Sequence, residues 1–303
     1  NLLIAQMISL KRVQQSIQTL IGQILSEATI LKYVMQRHHT LAAWEQSAIE
    51  QLLQMPAMHV DETSLRVDHK NHWIHVCPAG HITYKFLHPK RGLAAIEASG
   101  VIPRYGGVII HDCWASYLSY DQCGHGLCGS HLLRELTFVI DANDYAWAAN
   151  MKRLLQETCA IVAKRQSKRL TGNEYKNLQK RYRNILTRGA KQLPPIPPRQ
   201  NGKRGRVAKS DAHNLWERLK KHETAVLLFA RLSHVPFTNN RAERDLRMSK
   251  VKQKVSGCFQ TRKYAEAYYR ISSYLQTMAN QGYNPLVAIQ MAFSGQLYAD
   301  RGE

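Results

Sequence analysis

The chain has 303 residues, 44% of them hydrophobic, with 42 Lys plus Arg against 22 Asp plus Glu and a formal net charge of +20. Length and apolar content give a globular protein able to bury a core. No apolar run approaches the roughly 18 residues of a membrane span, which argues against a membrane role. The basic residues run from Lys11 to Arg301 rather than forming one tail. They predict a polyanionic partner, most simply nucleic acid; a merely basic or ribosome-associated protein is the plainer alternative.

Six cysteines (Cys77, Cys113, Cys123, Cys128, Cys159 and Cys258) contain no close Cys-x-x-Cys pair, and no signal peptide precedes them. They read as reduced thiols of a cytoplasmic protein. The chain begins at Asn1 rather than Met, so an upstream portion is expected to be missing.

Residues 2–53 are helical by pattern. Leu10, Val13, Ile17 and Leu20 share a stripe, Gly22 breaks it, and Ile24, Leu25, Ile30, Leu31 and Val34 follow. Two helices about a glycine turn are the pattern of a helix-turn-helix, and equally of any packed helix pair.

From Met58 the texture becomes β-rich, with strands expected over 58–67, 72–77 and 82–87, a helix over 93–98 and a strand over 108–111. Three strands, a helix and a fourth strand is the opening order of an RNase H-like core. A short helix after Trp114, a strand near Leu127 and a further helix extend the scheme.

Beyond 140 the pattern is purely helical: Trp147, Met151, Leu154, Leu155, Ile161 and Val162 share one face, and Tyr175, Leu178, Tyr182, Ile185 and Leu186 another. Residues 189–210 hold Pro194, Pro195, Pro197 and Pro198, then Lys203, Arg204, Arg206 and Lys209. Such a segment suits either phosphate contact or a solvated linker. Helices return with Leu215, Leu219, Val226 and Leu227, then Tyr264, Tyr268, Ile271, Leu275 and Met278, with Gly282 and Pro285 marking an end.

The expected architecture is α/β, an RNase H-like mixed sheet flanked by helices and interrupted by an all-α insertion, with a helical N-terminal segment. Its boundaries fall at 1–56, 57–140 and 236–303 for the N-terminal segment and the two parts of the core, and at 141–235 for the insertion.

Asp61 sits among apolar, β-prone neighbours, where a carboxylate needs a partner or a metal. Asp112 ends the apolar run from Val108 to His111, the strand end at which α/β sheets present ligand-binding groups; it also suits a helix cap. Glu243 lies in a helix that begins near Asn240, and the Asn240 to Glu243 spacing equally fits a capping box. Glu62, Asp68 and Asp245 remain alternatives. Two Asp and a Glu are the donor set that holds two hard cations for phosphodiester chemistry, with Arg241, Arg244 and Arg247 available for DNA phosphates.

Four ordered segments, 59–68, 108–117, 127–136 and 239–257, resemble the IS66-type transposases of bacterial insertion sequences. The resemblance covers roughly residues 58–290. It implies a DDE transposase with Asp61, Asp112 and Glu243 as catalytic metal ligands, using two Mg²⁺ or Mn²⁺ ions for DNA cleavage and strand transfer. The separations are 112 minus 61, or 51 residues, and 243 minus 112, or 131 residues; the second leaves room for the helical insertion. Lys250, Lys252 and Lys254, with Lys203, Arg204 and Arg206, join the expected DNA contacts.

His125, Cys128 and His131 have zinc-type spacing without an evident fourth ligand; the resemblance gives Cys128 and His131 a supporting place beside the active site. It further implies transposon-end and target DNA as partners, a homo-oligomer in a synaptic complex, small accessory proteins, and a bacterial, nucleoid-associated location. The cysteine-rich N-terminal domain of longer members has no counterpart here. A nuclease that cuts without joining, and a truncated or domesticated DNA-binding remnant, are the competing readings.

Overall fold

The computed structural model describes residues 1–196 and 207–295. The chain folds as two compact units. The first comprises residues 1–109, 114–123 and 240 onward; the second comprises 110–113 and 124–239.

The first unit opens with α1 (Leu10–Ile21), α2 (Glu27–Thr40) and α3 (Ala42–Leu53). Gly22 ends α1 in the left-handed region at φ 69°, as its position predicts. Where two helices were expected there are three, because the chain also breaks at Leu41 (φ −82°, ψ 3°). Neither Gly nor Pro marks that break. The Leu41 side chain is buried with Trp44, Ile49 and Leu52 in the same core as the strands.

Strands β1 (Ala57–His59), β2 (Asp61–Val67), β3 (Lys70–Ala79) and β4 (Ile82–His88) follow. The expected strand over 58–67 is therefore interrupted at Val60. β2, β3 and β4 form an antiparallel sheet with Asp61 opposite Val76 and Val67 opposite Lys70. The β2–β3 connection is two residues, Asp68 (φ 47°) and His69 (φ 58°). Two positive φ values are the signature of a type I′ hairpin, which accounts for Asp68 as a turn residue.

Alternation along β2 places Leu65 and Val67 in the core. Helix α4 (Leu93–Ser99) and β5 (Val108–His111) come next. The short helix expected after Trp114 is instead a run of turns, with i to i−3 bonds from Tyr117 to Trp114 and from Tyr120 to Tyr117. Their phenols point to different carboxylates, Tyr117 to Glu62 and Tyr120 to Glu97.

Helices α10 (Asn240–Ser256), α11 (Arg262–Asn280) and α12 (Pro285–Ser294) complete this unit. α10 packs on β2 and β3, and α11 on β4. Phe259 exchanges backbone bonds with the β2 end, accepting from Asp68 N–H and donating to Arg66 O. Pro285 occupies the first turn of α12, where its missing N–H costs nothing.

The second unit holds β6 (Gly124–Leu127), α5 (Gly129–Asn143), α6 (Ala146–Lys164), α7 (Gly172–Gly189), α8 (Asp211–Lys221) and α9 (Glu223–Arg231). Strand order in the remaining sheet is β1-β5-β6, with the chain passing from the first unit to the second along β5. The stripe of α6 buries Trp147, Met151, Leu154, Leu155 and Val162. Ile161, expected among them, is 47% exposed; at 100° per residue it falls at the edge of that stripe. Thr171 and Glu174 close a reciprocal capping box at the start of α7.

None of the six cysteines is in a disulfide. Among the described residues no helix is long and apolar enough to cross a membrane.

Candidate active site

Five of the acidic candidates lie in the first unit, Asp68 in the hairpin turn described above and four more that bear on the site. Asp61 is the opening residue of β2, half-buried, and its Oδ1 accepts the backbone N–H of Glu62 at 2.8 Å. Glu62, on the opposite strand face, has only 2% of its side chain exposed. Arg91 donates to its Oε1 from Nε at 2.8 Å, and Tyr117 donates to Oε2 at 2.5 Å. The Arg91 guanidinium is in turn held over the Trp114 ring at 4.5 Å and the Trp73 ring at 5.0 Å. Burial and then the adjacent Glu62 carboxylate push the Tyr117 phenol well above its usual range, so it stays a donor. Glu62 thus serves a structural cluster.

Asp245 is also accounted for. It is 2% exposed and accepts from Thr83 Oγ1 at 3.0 Å. Lys85 lies close enough to feel its charge; burial pulls that lysine down to about 8, and Asp245 opposes the shift.

Glu243 is half-buried on α10. The helix starts at Asn240, so with Asn239 preceding it the third helical position is Ala242. Glu243 is the acidic residue of the helix's first turn.

The basic residues of α10 divide into two groups. Arg241 donates to Gly80 O at 2.6 Å and Ile82 O at 3.2 Å, and burial lowers its pKa. Lys250 donates to the Ser64 carbonyl. Lys252, 8% exposed, sits 3.9 Å from the Phe259 ring centroid and donates to Gly257 O; burial brings it to about 8. Arg244, Arg247 and Lys254 are exposed. Lys203, Arg204 and Arg206 lie outside the described residues.

The second unit supplies Asp112, half-buried immediately after the fully buried strand β5. His111, 0% exposed, anchors this strand end: its Nδ1 accepts the Cys113 N–H at 3.1 Å, and its Nε2 faces His125 Nδ1 at 3.1 Å. The first bond makes Nδ1 the acceptor and assigns the proton to Nε2. Burial, then the charges of His125 and His222, lower the His111 pKa to about 3, so the ring is a neutral post near pH 7. Sequence reasoning missed this histidine pair and the Arg91 cluster, whose partners come from separate elements.

Cys128 precedes α5 as its N-cap and is buried. Burial raises its thiol, but hydrogen bonds from His131 and from the Asn239 and His131 backbones outweigh this and bring the pKa below the usual value; Asn239 N lies 3.1 Å from the sulfur. The His131 side chain thus hydrogen-bonds Cys128.

The α5 start admits only glycine at 129. Its N–H donates to Phe237 O at 2.7 Å, and an added Cβ would stand 2.2 Å from Phe237 Cζ. The Phe237 ring is itself edged against Phe229 at 4.7 Å. Gly129→Ala is expected to lower stability by about 1–3 kcal/mol, the cost of overpacking, measured by urea unfolding. An unchanged midpoint would refute this account of the α5 start.

Among known families, residues 2–267 match the model described as the transposase IS66 family. No curated protein matches the chain.

Proposed function

Since the chain belongs to the transposase IS66 family, we propose that it cuts DNA at the ends of a mobile element and joins the freed 3′-ends to target DNA. The observation that carries this is the family match over residues 2–267, which takes in every segment bearing the proposed triad.

Asp61, Asp112 and Glu243 are the proposed catalytic carboxylates. Their oxygen donors suit hard divalent cations such as Mg²⁺ or Mn²⁺, and the competing acids have other work: Glu62 with Arg91 and Tyr117, Asp68 in a hairpin turn, Asp245 with Thr83. Two bound ions would activate the attacking oxygen and stabilise the leaving one. The protein's own contribution is to hold the acids. β2 fixes Asp61, the neutral His111 fixes the backbone after Asp112, and α10 packs against β2 to carry Glu243.

We assign DNA phosphate contact on α10 to the exposed Arg247 and Lys254 and to Arg244, whose side chain is 69% exposed although it meets Asp245 at 3.7 Å, rather than to Arg241, Lys250 and Lys252, which hydrogen-bond backbone carbonyls. An RNase H-like core is part of this reading. It is supported by the order of strands and helix from β2 to β5. It is also supported by the one-residue break at Val60, through which a single extended segment contributes to both three-stranded sheets.

Glu243→Gln tests the weakest member. The amide retains the size and the acceptor needed for a helix cap but loses the anionic donor. Expected is a loss of cleavage and strand transfer on pre-cut element ends of about 10²-fold or more, with an unchanged melting midpoint. Full activity with Gln would reduce Glu243 to a cap. Cleavage without any joined product in the wild type would favour a nuclease.

A further inference from the structure

The second unit contains a concave site that the proposed chemistry does not use. Between α6 and α7 a cavity of about 340 Å³ is lined by Trp147, Asn150, Arg153, Arg181, Arg188 and Gln192, with Leu154, Asn184 and Ile185 completing its wall. Three guanidiniums and three amides face one small space, and no carboxylate lines it. A cavity this size lies at the low end of small-ligand sites. It suits one phosphate with its sugar, projecting from a DNA backbone.

Three further observations point to an anion. Trp147 is 1% exposed, and its indole Nε1 has no protein partner; an N–H donor buried without an acceptor is costly, and a phosphate oxygen would supply one. Trp147 and Asn150 open the side of α6 that walls the cavity, and the first turn of this helix carries no acidic residue that would compete for the guanidiniums. Finally, the arginines are only lightly committed: Arg153 bonds Asn150 at 2.6 Å and Arg181 meets the exposed Glu157 at 3.2 Å.

We propose that this cavity binds a phosphodiester of the DNA backbone, giving the helical insertion its own grip on the substrate. Arg181 and Arg188 on α7 clamp the phosphate oxygens, and Trp147 Nε1 donates a third bond. This rests on DNA being the substrate, and binding is measured without cleavage so that the two ideas fail separately.

The experiment follows the anisotropy of a labelled duplex with full-length protein in EDTA, over a salt series. For Arg181→Ala with Arg188→Ala, the slope of log affinity against log salt should fall by about 0.9, the value for one phosphate contact. Affinity should drop about tenfold at moderate salt. The paired Lys variant, which keeps the charge, should recover most of the slope. In a separate arm, inorganic phosphate alone should change tryptophan emission in the wild type and not in Trp147→Phe.

An Ala pair with unchanged slope and affinity overturns the proposal. So does a phosphate response in the wild type combined with unaltered DNA binding by the Ala pair, which would make the site one for free phosphate. A lowered melting midpoint of the Ala pair that the Lys pair shares would place the arginines in the fold and overturn it too.

Discussion

Asp112→Asn is expected to abolish metal-dependent cleavage of element-end DNA, by about 10²–10³-fold or more, while leaving DNA binding within a few-fold of wild type. The lower figure is the scale of removing one preorganised charge-stabilising group. The substitution keeps the shape of the side chain and removes its charge.

The local frame should survive the change. β5 is buried along its whole length, and the turn after it is held by the His111 Nδ1 bond to the Cys113 N–H. His111 has its pKa lowered to about 3, so this bond persists at any pH used for the assay. Cleavage that survives the substitution would remove Asp112 from the triad. Loss of binding and cleavage together would make it structural.

Replacing Asp245 with Ala is the largest stability effect expected in the first unit, about 1–3 kcal/mol, the cost of leaving the buried Thr83 hydroxyl without its acceptor. Lys85 is 4% exposed and its ammonium bonds Ser272 Oγ at 3.1 Å. Arg241 also draws on the Asp245 charge. Without that carboxylate the buried Lys85 and the half-buried Arg241 keep their charge with less compensation. Asp245→Asn, which keeps an acceptor for Thr83, should cost less.

The pH dependence carries a sign. The Lys85 pKa is lowered from the usual 10.5 to about 8 in the folded chain, so between those values the unfolded chain binds the extra proton. Its contribution therefore raises stability as pH climbs from 8 to 10.5, by about 3 kcal/mol. Below pH 8 the full burial penalty is present. In Asp245→Ala the rise should begin at lower pH. Urea midpoints at pH 7 and 9 check both points, and a variant indistinguishable from wild type at pH 7 would show the Asp245 contacts to be energetically slack.

Strand positions are legible in the residues because alternation and β-branched runs carry them, and Asp112 stands out as the polar end of an apolar run. The break at Val60 is not legible: Val is a good strand residue, and only pairing with two different sheets interrupts it. The third N-terminal helix is hidden likewise, since Leu41 breaks the helix with no turn residue present.

At the site, the choice between Asp61 and Glu62 depends on which strand face meets Arg91 and Tyr117, and those residues lie 29 and 55 positions away. Charge alone likewise does not separate Arg244 from Arg241. Both are arginines on one helix, but Arg241 lies beside the carbonyls of Gly80 and Ile82.

The chain order of the first unit has a consequence during synthesis. Its sheet is complete by His88, yet Thr83 N–H bonds Thr277 Oγ1, 194 residues later, and Lys85 N–H bonds Ser273. At about 5–20 residues per second, the face of β4 that α11 covers stays open for roughly 10–40 s while the second unit emerges. The helical unit, nearly continuous from 124 to 239, has its own core available first. A ribosome stalled before residue 262 would therefore display finished helices beside an uncovered sheet, the state in which a chaperone has most to bind.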